Sequence, residues 1–124
     1  MFGHLHVHTE HSYLDGFGTA EDYALAAKNK NFTFLACTDH GNIDGLIKFQ
    51  NACKKYGIKP ILGCEAYIVP DLSVKEKGEK RGHITLFVKN EIGFVCKFRN
   101  ITKMHPHGLI HIFRDFCAFR GYRF

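Results

Sequence analysis

The chain has 124 residues, 45% of them hydrophobic, and a formal net charge of +5. This length is typical of one domain, and the composition supplies enough apolar side chains for a core. No apolar run approaches the roughly 20 residues that span a bilayer, and the N-terminus lacks the basic-then-apolar order of a secretory signal. These features exclude a membrane-spanning protein and predict a soluble, cytoplasmic one.

Charge and cysteine usage add two expectations. The excess positive charge lies in residues 71–124. This basic half could face phosphates, or its charged residues around positions 75–81 could form an ordinary solvated loop, which we favour. The five cysteines form no Cys-x-x-Cys pair, which argues against a disulfide framework and against a thiolate zinc site. Most are expected to be buried packing residues, with a supporting role near a metal as the alternative for Cys37 and Cys64.

The first strand is predicted at the N-terminus, where four histidines occur between positions 4 and 11. His4, His6 and His8 alternate with apolar residues, so on an extended strand their side chains share one face. Neutral imidazole is a common metal ligand, and the pattern indicates a metal site. A tag remnant or a solvated edge strand is the alternative, but tags are uninterrupted runs. His4 and His11 are the expected bystanders.

The following elements alternate between helix and strand. Thr19 with Asp22 forms a capping-box pattern that begins a helix ending near Asn29, and Gly57 ends a second helix that includes residues 46–56. Apolar runs predict strands at residues 33–37, 61–69 and 83–88. Strands separated by helices predict right-handed crossovers in a largely parallel sheet or barrel, with functional residues at the carboxyl ends of strands.

Two polar positions interrupt this apolar pattern. Glu65 lies within an apolar strand, where a carboxylate is costly unless it is paired or binds a metal. Pairing with a lysine or with backbone groups is its alternative explanation. Asp39 and His40 follow the second strand and are either site residues or an Asx-type loop or helix cap. His83 begins the fourth strand, which fits the carboxyl-end rule less well.

Six residues together form a nitrogen and oxygen ligand set suited to Zn, Mn or Fe, and a bridging carboxylate can hold more than one ion. They are His6, His8, Asp15, His40, Glu65 and His83. The chain has no glycine-rich phosphate loop, nucleophile elbow or dinucleotide fingerprint. Covalent hydrolase and hydride-transfer chemistry therefore have no support.

Several spaced motifs resemble one known family. In order, they are His4–Thr9, Leu14–Gly16, Thr38–Asn42, Gly57–Tyr67, His83–Leu86 and Lys89–Glu91. They are similar to the polymerase and histidinol phosphatase (PHP) domain, and more closely to its version at the N-terminus of bacterial replicative DNA polymerase III alpha subunits. The resemblance covers about residues 2–108.

The resemblance implies an α/β fold, the N-terminal part of a distorted (β/α)7 PHP barrel, with up to three divalent ions at the carboxyl ends of its strands. It implies the same six ligands, with Glu65 bridging, and His4 and Asp39 as possible supporting residues behind them. Family members hydrolyse phosphoesters with metal-activated water, as phosphatases, pyrophosphatases or 3′ to 5′ exonucleases. In some polymerases the site has become a structural or partner-binding element.

The chain also departs from the family pattern. It contains no Asp-x-His, a later ligand motif of the family, and we do not expect His105, His107 or His111 to replace it. We predict a partial PHP domain at residues 1–108 and an aberrant or unrelated tail at residues 109–124. We hypothesise that the chain is a truncated or frame-disrupted product of a polymerase gene. If the genomic sequence past codon 124 resumes the polymerase sequence in none of the three reading frames, this hypothesis is wrong.

Two functional classes follow from the resemblance. One is a metal-dependent phosphoesterase acting on nucleic-acid 3′ ends or pyrophosphate, and the other is a replicase module that holds metal without turnover. A stand-alone phosphatase of the histidinol phosphatase type is a third reading. DNA and replisome subunits are the expected partners of the intact parent protein, whose polymerase carboxylates lie in a later domain. The sequence leaves enzymatic activity and oligomeric state open.

Overall fold

A computed structural model describes residues 2–68, 82–90 and 116–118 of the chain. Two helices and five strands occur in these residues, in the order β1 (Gly3–His4), α1 (Ala20–Asn29), β2 (Phe34–Cys37), α2 (Leu46–Tyr56), β3 (Lys59–Ile68), β4 (Gly82–Val88) and β5 (Phe116–Ala118). Neither described helix has the length and hydropathy needed to span a bilayer. The predicted α/β class and partial barrel are confirmed.

Both helices begin or end where local signals predict. The Thr19 hydroxyl accepts a hydrogen bond from the Asp22 N–H, and the Asp22 carboxylate accepts one from the Thr19 N–H, which completes the capping box of α1. Gly57 ends α2 in a left-handed conformation with φ 73°. Glycine adopts this conformation without the steric cost that a Cβ imposes.

The core lies between the two helices and the first strands. Small side chains of α1 (Ala20, Ala24 and Ala27) let α2 approach closely, and Leu46 and Phe49 of α2 are fully or almost fully buried against them. Cys37, Cys53 and Cys64 are all buried. Burial raises the pKa of the Cys53 thiol to about 11, so this thiol stays protonated and acts as an apolar packing group.

The sheet is parallel on one side and antiparallel on the other. Strand order is β1-β2-β3-β4-β5, with parallel pairing from β1 to β3 and antiparallel pairing from β3 to β5. The prediction of a largely parallel sheet is therefore wrong for β4 and β5. Helical crossovers precede β2 and β3, and only parallel neighbours require such connections. The antiparallel register pairs Tyr67 with His83, so the start of β4 lies beside the carboxyl end of β3.

The first strand is shorter than predicted. β1 covers only Gly3 and His4, and the chain then leaves the regular ladder while staying attached to the end of β2. Val7 exchanges hydrogen bonds with Thr38, whose N–H donates to the Val7 carbonyl over 2.9 Å and whose Oγ1 accepts from the Val7 N–H over 3.0 Å. The histidine-bearing segment is thus anchored by tertiary bonds rather than by a continuous strand.

Several predictions fall outside the described residues. They concern the solvated loop around residues 75–81 and the histidines at positions 105, 107 and 111. Within the tail, β5 pairs antiparallel with β4, with Cys117 opposite Phe87. The domain boundary at residue 108 and the unrelated character of residues 109–124 remain predictions.

The capping box yields the first testable prediction. Thr19→Ala should lower the free energy of unfolding by roughly 1 kcal/mol, because the Asp22 N–H loses its acceptor. Hydrogen bonds from the Thr19 hydroxyl and N–H lower the pKa of Asp22, so the cap contributes fully above the ordinary carboxyl pKa and less as pH falls through the lowered value. Urea unfolding at neutral and acidic pH measures both effects.

Thr19→Ser is the matched control, since serine keeps the hydroxyl and should retain most of the stability. Equal stability of the alanine variant and the wild-type chain at neutral pH would contradict the assigned cap.

Candidate metal centre

The centre of the site is the buried carboxylate of Glu65 on β3. Backbone hydrogen bonds fix its position, because the Glu65 N–H donates to the Asp39 carbonyl and the Glu65 carbonyl accepts from the Gly41 N–H. Glu65 therefore forms an isolated parallel bridge with His40, beyond the regular end of β2. Through this bridge, His40 in the loop after β2 lies beside Glu65 in β3.

Imidazoles surround the Glu65 carboxylate. His6 Nε2 and His8 Nε2 lie 2.6 and 2.8 Å from Oε2, and His83 Nδ1 lies 2.8 Å from Oε1. His40 Nε2 lies 3.7 Å from Oε2. The described partners of the Glu65 carboxylate are therefore imidazoles. The alternative explanation, pairing with a lysine or with backbone groups, is wrong.

Asp15 closes the group on the side away from β3. Its Oδ2 makes a short contact with His8 Nδ1 and lies 3.3 Å from His40 Nε2. The loop that carries it is tightly folded, with the N–H groups of Asp15 and Gly16 both donating to the Ser12 carbonyl. A Cβ at Gly16 would fall 1.7 Å from the Thr9 carbonyl oxygen, so only glycine permits this turn.

All six residues predicted as ligands thus meet in one place. Their donor atoms form three overlapping groups, each within 4.8 Å, that can hold a metal ion: His6, His8 and Glu65; His8, Asp15 and His40; and His40, Glu65 and His83. Glu65, His8 and His40 each belong to two groups. Of these three, only the Glu65 carboxylate has two oxygens with which to bridge neighbouring ions, because each neutral imidazole offers a single lone pair.

The donor atoms fit a cation better than they fit one another. His6 Nε2, His8 Nε2 and Glu65 Oε2 are mutually 2.6–2.9 Å apart. A ring nitrogen carries either a proton or a lone pair, so two protonated nitrogens would repel each other, and an unprotonated one would oppose the carboxylate lone pair. No proton assignment satisfies all three contacts. Lone pairs directed at a shared cation would remove this conflict, and around tetrahedral zinc these atoms would move apart to about 3.3 Å.

The charge of Glu65 is maintained despite its burial. Burial raises its pKa, but the contacts with the imidazoles of His6, His8 and His83 outweigh that effect and leave the pKa below its ordinary value. Glu65 is therefore a carboxylate at neutral pH, which is the form that binds a metal.

His4 and His11, expected as bystanders, lie apart from these groups. The His4 ring packs edge-on against Phe2 and Phe32, with ring centroids 5.3 Å away in both cases. The His11 ring packs against Gly45, and the His11 carbonyl accepts a hydrogen bond from Asn42 Nδ2. Neither belongs to a described ligand group.

Asp39 supports the site without belonging to it. Its buried carboxylate accepts hydrogen bonds from the Thr9 N–H over 2.6 Å, the Thr9 hydroxyl over 2.8 Å and the Cys37 thiol over 3.3 Å. It therefore bonds across 30 residues, rather than forming the Asx-type loop or helix cap considered above. Because Thr9 follows His8 directly in the chain, its hydrogen bonds to Asp39 fix the position of the histidine segment relative to the end of β2.

Sequence reasoning missed three residues that position the ligands. Ser12 is buried, and its Oγ accepts a hydrogen bond from the His40 N–H over 3.1 Å. Tyr67 stacks on the His40 ring at 5.7 Å and meets the His83 ring edge-on at 5.0 Å. Thr9 joins Asp39 to the histidine segment. Hydroxyl and aromatic residues are common in any sequence, and their roles here depend on long-range contacts.

The fold and this cluster define the class of protein. The family model described as the PHP domain matches residues 4–119, and the chain belongs to the PHP domain family. Its sequence is 45% identical over 95 residues to the DNA polymerase III subunit alpha of Campylobacter jejuni, and the match covers 76% of this chain and 8% of that protein. The subunit from Borreliella burgdorferi is 42% identical over 107 residues, covering 83% and 9%. The chain spans about a tenth of the length of these relatives.

Solved structures show the same fold at lower identity. A protein from Bifidobacterium adolescentis described as a metal-dependent phosphoesterase matches with a TM-score of 0.58 and 24% identity, covering 79% of this chain and 32% of that one. An amidohydrolase from Chromobacterium violaceum matches with a TM-score of 0.62 and 23% identity, covering 82% and 32%. The resemblance predicted from the spaced motifs is confirmed.

The Asp39 hydrogen bonds yield the second testable prediction. Asp39→Ala should lower the free energy of unfolding by about 1–3 kcal/mol, because it leaves the buried N–H and hydroxyl of Thr9 without an acceptor. Asp39→Asn should cost less, since its amide oxygen still accepts one of these bonds. Asp44→Ala is the control, an exposed aspartate in the same loop, and urea unfolding compares the three. A loss no larger than that of Asp44→Ala would contradict the assigned role.

Proposed function

We propose that this chain carries the metal centre of a phosphoesterase, with nucleic-acid 3′ ends or pyrophosphate as substrate. The observation that carries the proposal is the convergence of four imidazoles and two carboxylates around Glu65. The proposed ligands are His6, His8, Asp15, His40, Glu65 and His83, with Glu65 shared between ions. Zn, Mn and Fe suit this donor set, and the overlapping groups support up to three ions.

The proposed ligands differ in their exposure to solvent. His8 and His40 lie on the inner side, whereas the His6 and His83 side chains are about half exposed and border the open side. A substrate phosphoryl group therefore approaches past His6. A bound divalent ion makes water a nucleophile near neutral pH and offsets the charge of the phosphoryl group. Glu65, ionised and anchored by its backbone, holds the surrounding imidazoles in place.

A metal-holding module without turnover is the second candidate. The same cluster supports it, because ions held there would compensate the buried Glu65 carboxylate whether or not a substrate is turned over. In this case the centre stabilises the domain, and DNA and replisome subunits are partners of the intact polymerase rather than substrates of this site.

The third testable prediction separates the ligand assignment from the activity. His8→Ala should reduce bound metal at least about tenfold, because His8 contributes to two of the three ligand groups. Metal content after dialysis, measured by mass spectrometry, checks this. His11→Gln is the matched control, since His11 belongs to no described ligand group and glutamine keeps its bulk. Unchanged metal content in His8→Ala would refute the ligand assignment.

The same preparations test catalysis. Wild-type chain supplied with Mn²⁺ or Zn²⁺ should release nucleotides from single-stranded DNA or phosphate from pyrophosphate, and His8→Ala should not. Metal bound at full occupancy without either activity would exclude the phosphoesterase and leave the metal-holding module.

A further inference from the structure

The ligand cluster opens into a cavity of about 360 Å³. It is lined by His4, His6, Val7, His8, Asp15 and Tyr23. This volume lies within the range of small-molecule sites, which is about 300–1,000 Å³. Three of the lining residues belong to the proposed metal centre, so a molecule in this cavity would contact that centre directly.

The chemistry of the lining suits a phosphate ester that carries an aromatic group. Imidazoles can donate to phosphate oxygens, and Asp15, the only acid in the lining, also belongs to the ligand cluster. Tyr23 adds an aromatic ring and a hydroxyl to the lining. Inorganic pyrophosphate would use neither the ring nor the apolar Val7.

The loop at the rim of this cavity exposes an aromatic side chain. Phe17 is 99% exposed, and Tyr13 and Leu14 in the same loop are also exposed. Asp15, which lines the cavity, lies two residues before Phe17. Gly18, the next residue, packs so closely on Tyr23 that a Cβ there would come within 2.8 Å of its ring. The backbone of Phe17 is therefore held next to Tyr23, one of the residues that line the cavity.

The exposure of Phe17 does not result from a loose loop. The Glu10 N–H donates to the Gly18 carbonyl over 2.9 Å, which closes the loop at its base. Within it, Leu14 adopts a left-handed conformation with φ 64°, which L residues rarely adopt. A closed loop that presents a large aromatic side chain to water beside a phosphate-suited cavity offers a surface on which a planar group can stack.

We infer that this cavity and Phe17 form a nucleotide subsite, in which a nucleobase stacks at the rim while its phosphoryl group reaches the ligand cluster. This inference rests on the proposed function and selects nucleic-acid ends over pyrophosphate, the two substrates proposed there. Stacking on an exposed ring tolerates any base sequence, since every base has a π face.

The test compares two single-stranded oligonucleotides of equal length and phosphate number, one with bases and one abasic. Fluorescence anisotropy on strands with phosphorothioate linkages, which resist hydrolysis, gives both affinities without removing bound ions. Wild-type chain should bind the base-containing strand at least about fivefold more tightly than the abasic strand. Phe17→Leu, which keeps the apolar bulk but removes the ring, should lose most of that ratio, and Phe17→Tyr should retain it.

Ile47→Leu is the matched control, because Ile47 is an exposed apolar residue on α2 outside this loop. A wild-type chain without preference for the base-containing strand would overturn the inference. So would a Phe17→Leu variant that keeps the wild-type ratio, as expected if the loop contacts another protein segment. Neither result depends on metal content or phosphoester turnover, which test the proposed function separately.

Discussion

The contact between the buried Glu65 carboxylate and its imidazoles is the interaction on which the rest of the site depends. A carboxylate taken out of water is strongly unfavourable unless charges or donors compensate it. Here His6, His8 and His83 approach it within hydrogen-bonding distance. These residues come from the N-terminal segment and from β4, so one side chain on β3 contacts side chains up to 59 residues away along the chain.

The change of strand direction after β3 makes this convergence possible. In a purely parallel sheet the first residue of β4 would lie at the opposite edge from the carboxyl end of β3. Antiparallel pairing instead places His83 opposite Tyr67, two residues beyond Glu65. Tyr67 then contacts both His83 and His40 through their rings. This explains why His83 belongs to the cluster although it begins its strand, a position that the carboxyl-end rule for parallel sheets does not predict.

The sequence predicts the helices better than the sheet, for a physical reason. The start of α1 depends on Thr19 and Asp22, three residues apart, and the end of α2 depends on Gly57 alone. Such signals act within one turn and are legible in sequence. The length of β1 and the direction of β4 depend on pairing between distant segments. Periodicity does not encode these features, which is why both predictions needed correction.

The clustered histidines and carboxylates were predictable because their chemistry is unusual where they occur. Alternating histidines and an acid within an apolar strand stand out in a sequence, and the structure brings all of these residues together. Their supports do not stand out. Thr9 and Ser12 are ordinary polar residues until their contacts with Asp39 and His40 are known. The sequence therefore indicates which residues carry the chemistry, and the structure adds what holds them in position.

The most direct measurement is anomalous X-ray diffraction from crystals of the chain grown with Zn²⁺ or Mn²⁺. The account predicts a peak among Glu65, His6 and His8, with each ligand atom about 2.0–2.2 Å from the ion. Peaks at surface positions alone, with the Glu65 carboxylate bonded only to imidazole protons, would contradict it.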